Sequence, residues 1–285
     1  MIKNQPPKLT TRKGAPEEVK RTLDRVLSQA GMGSRSEACQ WILGGRVAVN
    51  GAVVLLPGHW VDPERDRVTL DSKPVVRQER VYVLLYKPKG YVTTYKDPDG
   101  RPTVYDLVRE VGQFVGTAGR LDLDTSGLLL LTNDHSLSDR ITSPDFHVEK
   151  EYLIKAAQVL TDEQLDQLRK GVTLDDGPTR PARVERLRDS EKYTHFTIVL
   201  TEGRNRQVRR MVEAIGGHVL KLVRTRIGPL TLEGLSIGHY RDLTRAEVRE
   251  LGGEAAARGI SPASSTKLSP RTIRRRREAK QAGGR

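Results

Sequence analysis

A loop of turn-forming and charged residues, Gly119-Arg120-Leu121-Asp122-Leu123-Asp124-Thr125-Ser126-Gly127, runs straight into Leu128-Leu129-Leu130-Leu131-Thr132. The aliphatic run is too brief for a helix and carries its turn signals at one end, so it reads as a fully buried strand. The loop before such a strand is held rigidly. A carboxylate on that loop, flanked by Arg120, has the placement of a catalytic group. Turn chemistry accounts for the same residues, because Asp122 and Asp124 side chains can bond nearby backbone N–H groups. Residue types alone leave both readings open.

The chain has 285 residues and a formal net charge of +13. That length accommodates one sizeable core and a small accessory domain. For a soluble chain so strong a positive balance points to a polyanionic partner, nucleic acid before acidic lipid. No apolar stretch approaches the roughly 20 residues that cross a bilayer. The basic N-terminus, with Lys3, Lys8, Arg12 and Lys13, precedes no apolar core and is not a secretory signal. Cys39 is the only cysteine, so neither an intramolecular disulfide nor a cysteine-based zinc site is expected, and a reducing, cytoplasmic setting fits.

Residues 1–18 read as a flexible basic arm. Leu23, Val26, Leu27 and Ala30 then make one apolar helical stripe stopped by Gly31. Ser34 and Glu37 form a capping box that starts a second helix carrying Ala38, Trp41 and Ile42. The Asn50-Gly51 pair between Arg46–Val49 and Ala52–Val54 is a hairpin signal. Two short helices and a hairpin thus define a small domain over 19–75. Arg21, Arg25, Arg35 and Arg46 decorate it, either as one converging face or as an ordinary solvated surface.

A stretch rich in Asp, Lys, Pro and Arg runs from about Asp71 to Arg80, and the linker is expected at 76–81. Residues 82–252 form the larger domain, opening on a core strand at Val81–Tyr86. Further strands are expected at Tyr152–Ala156, Thr194–Leu200 and His218–Arg226, and helices at Asp162–Lys170 and Gln207–Ile215. Strands and helices do not alternate regularly. The expected class is α+β, a mixed and largely antiparallel sheet with helices packed on it. There is no internal repeat. Residues 253–285, with the run Arg274-Arg275-Arg276-Arg277, read as a disordered basic tail, suited either to electrostatic capture of RNA or to service as a solubilising or merely tolerated extension.

The segment GRLDLDTSGLLLLT resembles the central motif of the ribosomal pseudouridine synthases of the RsuA/RluB type. The likeness extends over most of the chain. A unit similar to the S4 RNA-binding domain, a Lys-Pro-Lys-Gly segment, a Glu-Lys-Glu-Tyr segment and a Gly-Arg-Asn-Arg-Gln-Val-Arg-Arg segment follow in the family's order. The resemblance makes Asp122 the catalytic residue and Arg209 the cation paired with it. It makes Tyr152 the ring that stacks on the target base, Arg120 the residue that fills the space left by the flipped nucleotide, and Leu222 an apolar contact under the uracil. RNA contacts are expected from Arg21, Arg25, Arg35 and Arg46 of the S4-like unit and from Arg204, Arg206 and Arg210. Packing alone also explains Tyr152 and Leu222, and an Arg209–Glu213 ion pair on a basic helix face also explains Arg209.

The implied reaction breaks the uridine N1–C1′ bond, turns the uracil within the site and rejoins it through C5. It changes no oxidation state and needs no external atom donor, so no cofactor and no metal are expected. The chain accordingly carries no P-loop, Rossmann glycine pattern or His/Cys metal cluster. An ionised carboxylate is required as nucleophile or base. Attack at C1′, addition to C6 and abstraction of the ribose 2′ proton have all been argued for the family. Extruding a stacked nucleotide costs a few kcal/mol, for which a cationic wedge beside the loop is suited.

Two other readings compete. Asp122-Leu123-Asp124 has the D-x-D form with which glycosyltransferases hold a divalent metal, though no nucleotide-binding domain accompanies it. A non-catalytic S4-type assembly factor that binds ribosomal RNA would also suit the charge. Within the family, the Asp97–Asp106 segment, the Gly-Arg-Asn-Arg-Gln segment and the tail look closer to enzymes acting on a large-subunit stem-loop than on the small subunit. The expected partner is therefore ribosomal RNA, free or in a precursor particle, with no membrane, bound by a monomer.

Overall fold

The structure is a computed structural model that describes residues 20–76 and 79–252. The expected arm at 1–18 and tail at 253–285 lie outside the described residues. Contacts divide the chain into two units that meet between Val76 and Arg77.

In the first unit the elements are β1 (Arg21–Thr22), α1 (Leu23–Gln29), α2 (Arg35–Leu43), β2 (Val47–Val49), β3 (Ala52–Val53), β4 (Trp60–Val61), β5 (Val68–Leu70) and β6 (Lys73–Pro74). The Ser34 hydroxyl accepts from the Glu37 N–H, and the Glu37 carboxylate accepts from the Ser34 N–H, so the capping box starts α2 as expected. Asn50 and Gly51 both take positive φ, 52° and 87°, the geometry of the tight turn joining β2 to β3. Leu23, Leu27, Ala38, Ile42 and Val47 are sealed from solvent and close a core between the helices and the sheet.

The expectation of a bare hairpin needs correction. β5 and β6 extend it to a four-stranded sheet in the order β3-β2-β5-β6, and β1 pairs separately with β4. Lys73 and Pro74 pair with Leu70 and Thr69, so the stretch from Asp71 belongs to this unit and is not yet linker. Its proline sits on an edge strand, where the missing N–H costs nothing.

The second unit contains β7 (Tyr82–Lys87), β8 (Gly116–Ala118), β9 (Ser126–Thr132), α3 (His135–Thr142), β10 (Lys150–Ala156), α4 (Asp162–Lys170), β11 (Thr173–Leu174), β12 (Gly177–Pro178), β13 (Arg183–Ser190), β14 (Tyr193–Leu200), α5 (Gln207–Ala214), β15 (Val219–Ile227), β16 (Leu230–Thr231), β17 (Tyr240–Asp242) and α6 (Arg245–Gly252). The main sheet runs β13-β14-β10-β15-β9-β7-β17, with β8 added to β9 and β16 to β15. The β15–β9 pair is parallel, while the other pairs of this sheet are antiparallel. This is the α+β class expected.

Every residue of β9 is buried. Leu128 and Leu130 face α3 and α6, meeting Leu137, Ile141, Val248 and Leu251. Leu129 and Leu131 face the other way, against Val83, Leu85, Val104, Val115 and Leu121. A strand covered on both sides has no reason to alternate, which explains the unbroken aliphatic run. A further core forms where Ile154, Phe196 and Ile198 meet Leu165 and Leu168 of α4 and Met211 and Val212 of α5.

Candidate active site

Residues 119–127 cross from β8 to β9, and their backbone is tied down one carbonyl at a time. The Arg224 Nη1 reaches the Arg120 carbonyl at 3.5 Å, and the Thr93 hydroxyl donates to the Leu121 carbonyl at 2.7 Å. Lys87 Nζ donates to the Asp122 carbonyl at 2.9 Å and to that of Thr125 at 2.8 Å. The Gly90 N–H takes the Leu123 carbonyl at 2.8 Å, and Arg209 Nη2 lies 3.4 Å from that of Asp124. Each carbonyl from 120 to 125 therefore meets a donor from elsewhere in the unit. The loop is rigid, as expected from β9, but the rigidity comes as much from these donors as from the strand.

Three of the donors are buried cations, the expected Arg209 and two further ones, Lys87 and Arg224. Lys87 is fully buried and spends its ammonium on three carbonyls, the third being that of Pro88 at 3.2 Å. Burial pushes it down to about 8, against the pull of Asp122 and Asp124. Arg224 is also buried, with Nε donating to the Leu128 carbonyl at 2.7 Å. Residue-level reasoning missed both. The signal for Lys87 was present, because it continues the inward alternation Val83, Leu85, Lys87 of the opening strand.

Gly127 makes the close approach of β9 to β15 possible. Its φ is +120°, and a Cβ there would stand 2.3 Å from the Arg224 carbonyl oxygen. Only glycine is compatible with that position.

The loop forms one wall of an open cleft. Arg120, Asp122, Tyr152, Arg204, Arg206 and Leu222, six of the expected site residues, line it together with Thr125, Leu200, Glu202 and Gln207. The Asp122 side chain is 32% exposed, so its carboxylate is reachable. Thr125 is 2% exposed, and its hydroxyl has no hydrogen-bond partner among the described residues. Arg120 is exposed at the mouth with no ion pair among the described residues.

The expected Asp122–Arg209 pair requires correction. Arg209 is 6% exposed overall and places Nη2 2.9 Å from Asp124 Oδ2, while its Nη1 donates to the Val219 carbonyl at 3.2 Å. The cation facing Asp122 is Arg206, with Nη1 3.6 Å from Asp122 Oδ2 and 3.6 Å from Asp124 Oδ1. Arg206 is the N-cap of α5 and takes the left-handed conformation, φ 46°, an unusual backbone for an arginine that aims it back at the loop. The expected alternative, an Arg209–Glu213 pair on a solvated helix face, is likewise not formed, because Arg209 points inward. Val208, Met211, Val212 and Ile215 make the buried stripe as expected.

Arg210 is away from the cleft, bonded through both terminal nitrogens to Asp176 at 2.9 and 3.0 Å. Arg204 lines the cleft but donates to the Gly177 carbonyl at 2.8 Å. In the first unit, Arg35 pairs with Asp24 at 2.5 Å, Arg46 pairs with Asp71 at 2.5 Å, Arg21 bonds Gln29 and Arg25 is exposed. Arg35 and Arg46 are thus ion-paired, although both keep about half of their side chains exposed, 57% and 48%. Among the described residues no group of three His, Cys, Asp or Glu side chains gathers as metal ligands. Asp122 and Asp124 instead face guanidinium groups.

A reachable carboxylate on an immobilised loop shares the cleft with an aromatic ring, an aliphatic side chain and several arginines, an arrangement suited to a nucleotide of a polyanion. Comparison with known proteins gives the family. Residues 81–214 match the family described as RNA pseudouridylate synthase, and residues 21–68 match the S4 domain. The chain is 42% identical over 231 residues to the ribosomal large subunit pseudouridine synthase B of Bacillus subtilis (strain 168), covering 80% of this chain and 94% of that protein. It is 40% identical over 230 residues to the ribosomal small subunit pseudouridine synthase A of Escherichia coli (strain K12), covering 79% and 97%. A crystal structure of a pseudouridylate synthase superposes with a TM-score of 0.58 at 34% identity, covering 81% of this chain and 99% of that one. The chain belongs to the pseudouridine synthase family, as its motifs imply, and carries an S4 domain. Family membership displaces the D-x-D glycosyltransferase reading.

Proposed function

We propose that the protein converts a uridine of ribosomal RNA, most naturally of the large subunit, to pseudouridine, with Asp122 as the catalytic carboxylate. The observation that carries this is the position of Asp122. It lines the same cleft as Tyr152 and Leu222, on a backbone tied down by several hydrogen bonds. An everted uracil fits between the ring and the aliphatic side chain, and the ribose then lies toward the carboxylate. The reaction breaks N1–C1′ and forms C5–C1′; C5 loses a proton and N1 gains one, so substrate and product are isomers. Arg206 faces the carboxylate without a short hydrogen bond that would blunt it, since 3.6 Å is an ion-pair distance rather than a hydrogen-bond distance.

Arg120 is the group suited to fill the gap left in the RNA stack. Arg204 and Arg206 suit the flanking phosphates. In this reading Arg21, Arg25, Arg35 and Arg46 position the RNA on the S4 domain without reading its sequence, and Arg210 supports the rim through Asp176. The large subunit is favoured by the relative at 42% identity that is named for it and by the Asp97–Asp106 segment. A stem-loop, free or within a precursor particle, is the form of RNA whose unstacked bases such a site can read. No helix among the described residues is long and apolar enough to cross a membrane, and a lone Cys39 fits the cytoplasm.

The test is pseudouridine mapping across ribosomal RNA from cells with and without the gene. One large-subunit site should lose its modification, and Asp122→Asn should fail to restore it while still retaining RNA. Loss of a small-subunit site instead would move the target to the other subunit. An unchanged map would overturn the reading.

A further inference from the structure

Four basic side chains stand in a row across the sheet, on the face opposite Tyr152 and Leu222. The register sets Arg188 of β13 opposite His195 of β14, His195 opposite Lys155 of β10, and Lys155 opposite Lys221 of β15. On these strands Ile154, Phe196 and Leu222 turn into the core, so their neighbours Lys155, His195 and Lys221 turn out of it. Arg188 and Lys221 are exposed, and none of Arg188, Lys155 and Lys221 has an ion pair among the described residues. Lys155 Nζ sits 3.7 Å from the centroid of the Tyr193 ring. Asp189, an adjacent carboxylate, is engaged by Arg186 at 2.7 and 2.9 Å. Glu185 lies two register positions away, opposite Thr197.

Like charges directly opposite one another on neighbouring strands destabilise a sheet. Their convergence is also felt at His195, whose pKa is lowered by burial and by Arg188, Lys155 and Lys221 against an opposing pull from Asp189. With strands spaced about 4.8 Å, the row spans about 14 Å, enough to meet successive phosphates.

We infer that this row is a second RNA-docking surface, separate from the cleft, which grips the phosphates of a part of the substrate remote from the modified uridine. Phosphates entering the row replace mutual repulsion with attraction, so a feature that costs stability in the free protein strengthens the complex. The inference rests on RNA being the substrate and not on the role of Asp122.

The experiment compares wild type with the triple variant Lys155→Gln, Arg188→Gln, Lys221→Gln on a large-subunit ribosomal RNA transcript. A charge-matched control, Lys170→Gln, Arg245→Gln, Arg249→Gln, loses the same charge at other exposed positions. The row variant should raise Kd about tenfold at 0.15 M salt and lower the slope of log K against log salt by about 2, at roughly 0.7 per lost contact to single-stranded RNA. Its single-turnover rate at saturating RNA should match wild type, and its unfolding midpoint should be no lower. A Kd and slope equal to those of the control would overturn the inference. If the triple variant does not fold, Arg188→Gln and Lys221→Gln taken singly decide it, each with an expected loss of about threefold against none. Absence of pseudouridine from the wild-type reaction would count against the catalytic reading alone, because the binding comparison does not depend on turnover.

Discussion

Arg209 Nη2 and Asp124 Oδ2 lie 2.9 Å apart, so the buried guanidinium of α5 grips the residue two places beyond Asp122 rather than Asp122 itself. The same guanidinium reaches the Asp124 carbonyl and the Val219 carbonyl. Arg206, with 46% of its side chain exposed, is the cation that faces Asp122. Two arginines three residues apart on one helix thus divide the work. One fixes the loop, and the other balances the carboxylate where RNA can also reach it.

This division gives opposite kinetic signatures. Arg209→Met removes the anchor of the loop, and a displacement of about 1 Å costs on the order of a hundredfold in rate. Single-turnover kinetics should show that loss with Kd within about threefold of wild type. Arg209→Lys should recover little, since an ammonium cannot hold several acceptors in a planar fork. Arg206→Met should raise Kd several-fold with a smaller loss of rate. The reverse pattern would mean that Arg206 is the anchor.

Lys87 supplies a pH dependence. As an ammonium it has three N–H donors for the carbonyls of Pro88, Asp122 and Thr125, and as a neutral amine it has two. Burial holds it near 8. As pH rises through about 8 one carbonyl loses its donor, and the single-turnover rate at saturating RNA should fall. Lys87→Met should be slower at every pH, by tenfold or more, and should lack that limb. A wild-type profile flat from pH 7 to 9 would remove Lys87 from control of the loop.

The elements that were legible in the sequence are those fixed by short-range rules. The capping box at Ser34, the Asn50-Gly51 turn, the helix at Asp162–Lys170 and the buried β9 run each carry their cause within a few residues. Arg183–Ser190 was not legible. It is an edge strand with a register shift between Arg186 and Arg188, and its polar sequence shows no alternation. Tyr240–Asp242 is too short for any period. At the site, helical periodicity placed Arg209 relative to Val208 and Met211 but could not say which of two carboxylates on a remote loop it would meet. Lys87 was hidden because lysine is ordinarily exposed. Burial of its ammonium follows from three carbonyls brought together by the tertiary fold.

Gly127 is a second place where the fold leaves no choice. A methyl group there meets three backbone atoms of Arg224 within 2.8 Å, and φ of +120° is unfavourable for any L side chain. Gly127→Ala should therefore part β9 from β15, costing about 2–4 kcal/mol through strain and overpacking. Urea denaturation would register this as a lower midpoint. The variant should also lose turnover, because Asp122 is carried on the chain entering β9. An unchanged midpoint would show that the two strands can separate without cost.

Lys150 is a buried amine with no hydrogen-bond or ion-pair partner among the described residues, and burial together with nearby Arg224 pushes it down to about 8. Its unfolded value is ordinary, near 10.5. Below about pH 8 both states hold the proton, and the folded state bears the cost of an unpaired buried charge. Between about 8 and 10.5 the unfolded chain binds more protons than the folded one, so stability from this group rises with pH. Lys150→Met removes the charge and keeps the chain length. At pH 7 it should stabilise the protein by about 1 kcal/mol, after allowing for solvent screening of the partly wetted ammonium. The gain should shrink toward zero by about pH 10. Denaturation midpoints of wild type and variant measured at both pH values give the answer: a variant less stable at pH 7, or a gain that grows with pH, would mean that Lys150 is held by a favourable contact with its charge intact.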